Sequence, residues 1–249
     1  MDRQRREMIV PSKSQIDRVL EHMPDAPRWV ETRSMLLGGW GRIYGEESWS
    51  EDFNFVVGSP ELKFASVVGF PAREVLWRAI GDLGTVDGLI AQIENTEHVR
   101  AALPDWKTET ALLHLLPDAS HSPPAPRRDV RFVTAGELND FTQLPAKLCE
   151  EHVKAARLFS VAAVYFNDFP VSFCYAVETE SLWDISIETL EEHRNQGHAR
   201  SCVAFMIEHM RGRGKQPVWG AFASNTASLK LATKLGFKIV ESVTVFQPA

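Results

Sequence analysis

The stretch that decides the fold is Leu182–Phe237, which reads LWDISIETLEEHRNQGHARSCVAFMIEHM, then a basic turn, then PVWGAFASNTASLKLATKLGF. Trp183-Asp184-Ile185-Ser186-Ile187-Glu188-Thr189 alternates apolar and polar side chains, the two-residue period of a half-buried strand. Arg194-Asn195-Gln196-Gly197-His198-Ala199 ends that period, and Cys202, Val203, Phe205, Met206 and Met210 then recur at helical spacing. A strand that runs through a glycine-bearing turn into a helix makes a ready anion site. The first N–H groups of the helix lack intrahelical partners, and the helix dipole favours negative charge there. Gly197 places no Cβ between backbone and anion, and the small Ala199 keeps the approach open. Pro217–Ala221 reads as a second strand, and Asn225–Leu235 as a second helix closed by Gly236.

Arg-x-x-Gly-x-Ala between strand and helix, Arg194 to Ala199, resembles the acyl-CoA pyrophosphate loop of the GNAT superfamily of N-acyltransferases. Asn-x-x-Ser-x-x-x-Ala-x-Lys-Leu-Gly-Phe, Asn225 to Phe237, resembles the next helix of that fold. The two motifs stand in the right order, one helix and one strand apart. The resemblance covers residues 130–249, and the Pro-x-Trp variant of its second strand is similar to a subgroup of GNAT acetyltransferases. It implies an α+β fold of three layers, with a mixed, mostly antiparallel twisted sheet flanked by helices. It also implies acetyl-CoA as cosubstrate.

Composition bounds the rest. With 44% apolar and 24% charged residues among 249, the chain has the make-up of an ordinary soluble globular protein, long enough for one large domain or two smaller ones. A net charge of -6 argues against a general nucleic-acid binder. The short basic runs Arg3–Arg6 and Arg211–Lys215 read as a solvated terminus and a helix C-terminus. Three cysteines, Cys149, Cys174 and Cys202, show no Cys-x-x-Cys spacing, which points to a reduced cytoplasmic chain with buried thiols. The N-terminal MDRQRREM has no apolar core of a signal peptide, and the longest apolar run, Leu158–Phe166, is too short to span a bilayer. Eight histidines form no His-x-x-x-His or His/Cys cluster, so no metal is expected.

Ahead of the motifs, residues 12–22 read as a helix with Ser14 as N-cap, and Gly38–Gly41 as a turn. Strands are expected over 53–57, 64–70, 89–93 and 109–116, with helices over 72–80 and 96–103. Ser120–Pro126, with three prolines, is the clearest linker. Beyond it come a strand at 131–134, a helical stretch over 137–157, a hairpin of 159–166 and 171–178, and a last strand over 238–246. The two sides of the linker run in similar order: Phe53–Val57 parallels Phe173–Val177, Leu62–Val67 parallels Leu182–Ile187, and Asn95-Thr96 opens a helix as Asn225-Thr226 does. Between Gly69 and Ala72, however, the first half passes from strand to helix with no Arg-x-x-Gly-x-Ala loop. The expectation is two tandem units: a degenerate one over 1–119 without a pyrophosphate site, a linker over 120–129, and a cofactor-binding unit over 130–249.

The backbone amides of Gln196, Gly197, His198, Ala199 and Arg200 are expected to hold the pyrophosphate, with Arg194 lining the loop. The strand edge at Ile187 and Thr189 is expected to pair with the pantetheine arm. The resemblance places Asn225 and Ser228 near the thiol end of the cofactor; taken alone they read as a helix N-cap and a first-turn hydroxyl. Acyl transfer to an amine needs a base, an oxyanion donor and an exit for the thiolate. Asp184 and Glu188 alternate onto one face with Ser186 and are the candidate bases, with Glu188 nearer the acyl group; a solvent-facing strand carboxylate is the plainer reading of Asp184. In the resemblance the oxyanion donor is a backbone amide near Thr189, and His193 packs or caps rather than reacts. The tyrosine that protonates the thiolate in many members falls at Ala232 here, leaving Tyr165 and Tyr175 as substitutes. The leading reading is therefore an acetyl-CoA-dependent N-acetyltransferase acting on a small-molecule or exposed peptide amine, with no nucleic-acid or membrane partner and with a homodimer compatible. A non-catalytic acyl-CoA-binding scaffold is the second reading, and a chance glycine turn in another nucleotide binder the third.

Overall fold

Arg33 shows why parts of the first half escape a reading by pattern. The computed structural model, which describes residues 9–117 and 129–249, contains a helix over Val30–Gly38 whose Thr32, Arg33 and Ser34 all point inward. The Arg33 guanidinium donates to the carbonyls of Leu20 (2.9 Å) and Met23 and stands 3.8 Å from Asp25. A buried polar stripe satisfied in this way leaves no apolar period to detect.

The elements run α1 (Lys13–His22), α2 (Val30–Gly38), β1 (Arg42–Gly45), α3 (Trp49–Asp52), β2 (Phe55–Ser59), β3 (Phe64–Val68), α4 (Arg73–Leu83), β4 (Gly88–Ala91), α5 (Thr96–Ala102) and β5 (Lys107–Leu115). After the gap come β6 (Val130–Val133), α6 (Ala135–Asp140), α7 (Ala146–Leu158), β7 (Val161–Phe166), β8 (Phe169–Glu178), β9 (Leu182–Thr189), α8 (His198–Gly212), β10 (Gln216–Phe222), α9 (Thr226–Lys234) and β11 (Lys238–Gln247). The result is the expected α+β class, with mostly antiparallel pairing and helices on the sheet faces. The sequence reading misses α2, β1 and α3. Ser12, not Ser14, caps α1: its Oγ accepts from Gln15 N at 3.3 Å while its own N–H donates to Gln15 Oε1 at 2.9 Å. The helical stretch over 137–157 is two helices: α6 stops at Asp140 with Phe141 (ψ 73°) as its C-cap, and α7 starts after Pro145. The β7–β8 hairpin turns on Asn167 (φ 49°) and Asp168 (φ 61°), two residue types that tolerate the left-handed region.

The chain divides into two compact units, Met1–Ala111 with Ser242–Ala249, and Leu112–Glu241. Residues 120–128 of the expected 120–129 linker and the run Arg3–Arg6 lie outside the described residues. The division departs from 1–119 and 130–249, and the reason lies in the last strands. The strand order is β1-β2-β3-β4-β11 in the first unit and β5-β10-β9-β8-β7-β6 in the second. The strand after α5 thus ends in the second unit, where His114 Nδ1 lies 3.0 Å from the Trp219 carbonyl. The strand after α9 ends in the first, where Thr244–Phe246 pairs antiparallel with Leu89–Ala91 and Phe246 is fully buried. Each unit has its own core, with Leu76, Leu89 and Phe246 in the first and Phe173, Trp183, Met206 and Trp219 in the second.

Candidate active site

Both units contain an antiparallel pair followed by a helix and then a parallel strand. What separates them is how far the parallel strands stay together. In the first unit β3 and β4 pair from Phe64↔Gly88 to Val67↔Ala91, the full length of β4. Asn95 then ties off the end, donating to the carbonyls of Gly69 (2.9 Å) and Val67 (3.4 Å). Gly69 sits at φ +63°, and a Cβ there would fall 2.3 Å from the Phe53 carbonyl oxygen, so the chain turns tightly with no room for a loop. Among its described residues the first unit has neither a glycine loop of the Arg194–Ala199 kind nor an open parallel pair.

In the second unit the parallel register covers only Leu182–Asp184 against Gln216–Val218. β9 continues to Thr189 and β10 to Phe222, but they no longer pair. From Ile185 to Thr189, β9 is laddered on one side alone, to β8 from Ala176 to Ser172. A strand edge left open inside a fold exposes peptide groups that require a partner. Ile187 and Thr189 lie on this segment, as expected. Ser172 braces it from the other side: its hydroxyl donates to the Glu188 carbonyl at 3.1 Å and lies 2.8 Å from Thr189 Oγ1.

The loop follows at once. A single 3₁₀ turn over Glu191–His193 leads into Arg194, whose Nε donates to the Thr189 carbonyl at 3.2 Å, and Gln196 Nε2 donates to the Glu192 carbonyl at 3.1 Å. Arg194 is thereby bent back along the strand end. Asn195 (φ 60°) and Gly197 (φ 86°) both adopt left-handed backbone, and no side chain caps α8. The first amide turned back into the helix is Ser201 N, bonded to the Gly197 carbonyl, so the amides of Ala199 and Arg200 belong to the uncapped first turn. A Cβ built on Gly197 meets nothing within 4 Å. His198 is buried, its ring 6.0 Å from both Phe166 and His193, so His193 packs as expected. Only its backbone amide is available to the loop.

Asp184, Ser186 and Glu188 stand opposite Val177, Tyr175 and Phe173 on β8, which sets all three on one face. Helix α7 lays a residue on that face which the sequence reading passed over. His152 is buried (3% exposed), with its ring 4.6 Å from Phe173 and 6.1 Å from Tyr175 and its Nδ1 2.9 Å from the Leu148 carbonyl. Burial holds its pKa below the ordinary imidazole range, while the Leu148 bond and the charges of Glu188 and Glu151 pull it back up. The available signal was a histidine on the apolar stripe of Leu148, Val153 and Ala155. Tyr175 stacks on Phe159 at 6.0 Å, and Tyr165 lies under the Arg131 guanidinium at 4.2 Å, its pKa raised first of all by burial.

At the second helix, Asn225 Oδ1 accepts from Ser228 N at 3.1 Å, and the Trp219 indole donates to Ser228 Oγ at 2.9 Å. These are capping and packing roles. Ala232 is fully buried in the core of the second unit, and its carbonyl accepts from Phe237 N. Among the described residues no group of His, Cys, Asp or Glu is placed to hold a metal ion, and no helix is long and apolar enough to cross a membrane.

Residues 162–246 match the sequence profile of the family described as GNAT acetyltransferase. A crystal structure of a GCN5-related N-acetyltransferase-like protein from Streptococcus suis superposes with a TM-score of 0.69 at 21% identity, over 94% of this chain and 98% of that one. An X-ray structure of a Drosophila protein gives 0.65 at 11% identity, covering 97% and 98%. An acetyltransferase of the GNAT family from Colwellia psychrerythraea gives 0.56 at 12%, covering 96% and 98%. No curated protein matches the chain. These solved structures share the fold of this chain. The matched residues 162–246 belong to the GNAT superfamily.

Proposed function

We propose that this protein is an acetyl-CoA-dependent N-acetyltransferase whose acceptor is the primary amine of a small molecule or an exposed peptide amino group. The observation that carries the reading is the parting of β9 from β10 after Asp184, on the strand that leads into the Gly197 turn. The open edge of Ile185–Thr189 suits the amides of a pantetheine arm, and the first turn of α8 suits the pyrophosphate that such an arm ends on. Gln196, Gly197, His198, Ala199 and Arg200 contribute their amides, and Arg194 a charge. Asn225 and Ser228, already engaged as cap and indole acceptor, support the second helix beside the thiol end. Asp184 and Glu188 give the opposite face a negative field that draws an ammonium, with Glu188 the closer to the slot. The amine nitrogen attacks the thioester carbonyl, the tetrahedral oxyanion takes a strand amide near Thr189, and the C–S bond breaks.

A second reading keeps the cofactor and drops the chemistry. It is favoured by Ala232, which leaves the second helix without a phenol to protonate the thiolate. One experiment separates the two: calorimetric titration with CoA, together with thiol release from acetyl-CoA over a panel of primary amines. Binding with amine-dependent thiol release supports the transferase. Binding without release supports the scaffold, and no binding removes both.

A further inference from the structure

We propose that His152 is the base of this reaction: Nε2 of its imidazole takes the proton from the acceptor ammonium, and Glu188 is the anion that stabilises the imidazolium. The proposal rests on the acyl-transfer reading and adds a residue to it. A carbonyl oxygen only accepts, so the 2.9 Å contact with Leu148 fixes the proton on Nδ1 and leaves the lone pair on Nε2. The hydrogen bond seen for this ring among the described residues is the one on Nδ1. Phe173 holds the ring on one side, and Glu188 is the cross-strand partner of Phe173, so imidazole and carboxylate share one face of the sheet.

Three titratable groups bear on this ring. Glu188 from β9 and Glu151 from α7 favour its cation, while Tyr175 from β8 lies ring to ring with it at 6.1 Å. Burial outweighs the two carboxylates, so the ring is neutral near pH 7, the form a base requires. Glu188, partly buried on the same face, supplies the charge that an imidazolium needs. The ammonium gives one proton to Nε2, which later passes it to solvent. The amine attacks, the N–C bond forms and the C–S bond breaks. The second N–H proton leaves with the thiolate as the CoA thiol.

The test is the pH dependence of kcat/KM for acetyl-CoA and benzylamine, or whichever primary amine of the panel is turned over fastest, in wild type, His152→Gln and Glu188→Gln. Imidazole NMR titration of His152 accompanies it in wild type and Glu188→Gln. We expect His152→Gln to lose roughly a hundredfold or more and to lose the acidic limb, with CoA affinity unchanged. Glu188→Gln should keep the limb but move it to lower pH, and the imidazole titration should move with it. Retention of the limb in His152→Gln, or its loss in Glu188→Gln alone, would overturn the assignment and make Glu188 the base. An imidazole titration that does not move in Glu188→Gln overturns the partnership even if His152→Gln fails to fold. Absence of CoA binding by the wild type, by contrast, removes the acyl-transfer reading itself.

Discussion

Replacing Gly197 with alanine isolates the anion site from the packing around it. The residue lies at φ +86° with open space where a Cβ would sit, so an added methyl strikes no protein atom. The folded state should therefore lose only the conformational cost of an L-residue in left-handed backbone, about 1–2 kcal/mol. For a chain of this size that is a fall in Tm of about 2–8 °C. The methyl nonetheless stands in the space through which an anion approaches the first turn of α8. Losing one or two charge-assisted bonds to backbone amides removes about 1.5–3 kcal/mol. At about 1.4 kcal/mol per decade, CoA affinity should fall about tenfold to a hundredfold. Valine is the poorer probe, because a β-branched residue at positive φ adds strain that mixes the two effects. Asparagine is the better control: it tolerates the left-handed region, so Gly197→Asn should lose less stability than Gly197→Ala and as much affinity. Calorimetry with CoA and a thermal melt read the two quantities on the same samples. A folded Gly197→Ala protein with wild-type CoA affinity would refute the placement of the pyrophosphate.

Three further outcomes follow from the same packing. Ala232→Tyr, which on the family pattern restores a phenol, puts a large polar ring into a position with 0% exposure and should destabilise by about 1–3 kcal/mol or more without raising the rate; a denaturant midpoint at the wild-type value together with faster thiol release contradicts this. A fragment of residues 1–119 lacks the strand that pairs with β4 and the buried Phe246, so it should be unfolded or aggregated by circular dichroism and gel filtration; a soluble, folded fragment counts against the strand assignment. Stability should also fall with pH from about 6.5 downward, because the unfolded chain takes up a proton that buried His152 resists. His152→Phe should flatten that part of the Tm profile, and an unchanged slope would mean that other groups govern it.

The sign of that pH effect follows from linkage. The folded-state pKa of His152 lies below its unfolded value, so stability is complete above the unfolded value and is lost as pH falls toward the folded one. Burial is the largest cause, and it also pushes the thiols of Cys174 and Cys202 well up, so both stay protonated and unreactive at neutral pH.

Short-range patterning carries far in this protein. The alternation over Trp183–Thr189, the glycine turn at Arg194–Ala199 and the Asn225–Phe237 helix are each contiguous, and each forms within a residue or two of its expected bounds. Strand period, helix period and left-handed glycine are local properties of the chain, so they can be read from it directly. The face shared by Asp184, Ser186 and Glu188 is legible for the same reason, since alternation along one strand is enough to place them together.

What tertiary structure decides is which strands part company and which distant residues meet. Leu182–Asp184 and Gln216–Val218 pair while the residues after them do not, and nothing in either segment announces the break. The crossing of the last strands is equally silent: Thr244–Phe246 completes the first unit because β4 presents an edge that must be paired, not because its own residues differ from an ordinary strand. Arg33 is buried because the end of α1 and the loop after it, from Leu20 to Asp25, offer it three oxygen acceptors. His152 reaches the Glu188 face because α7 packs over β8, a contact between segments that the sequence keeps apart. Hydrogen bonds along one strand or helix depend on neighbours in the chain, whereas the opening of a sheet and the depth of a side chain depend on every layer packed around them.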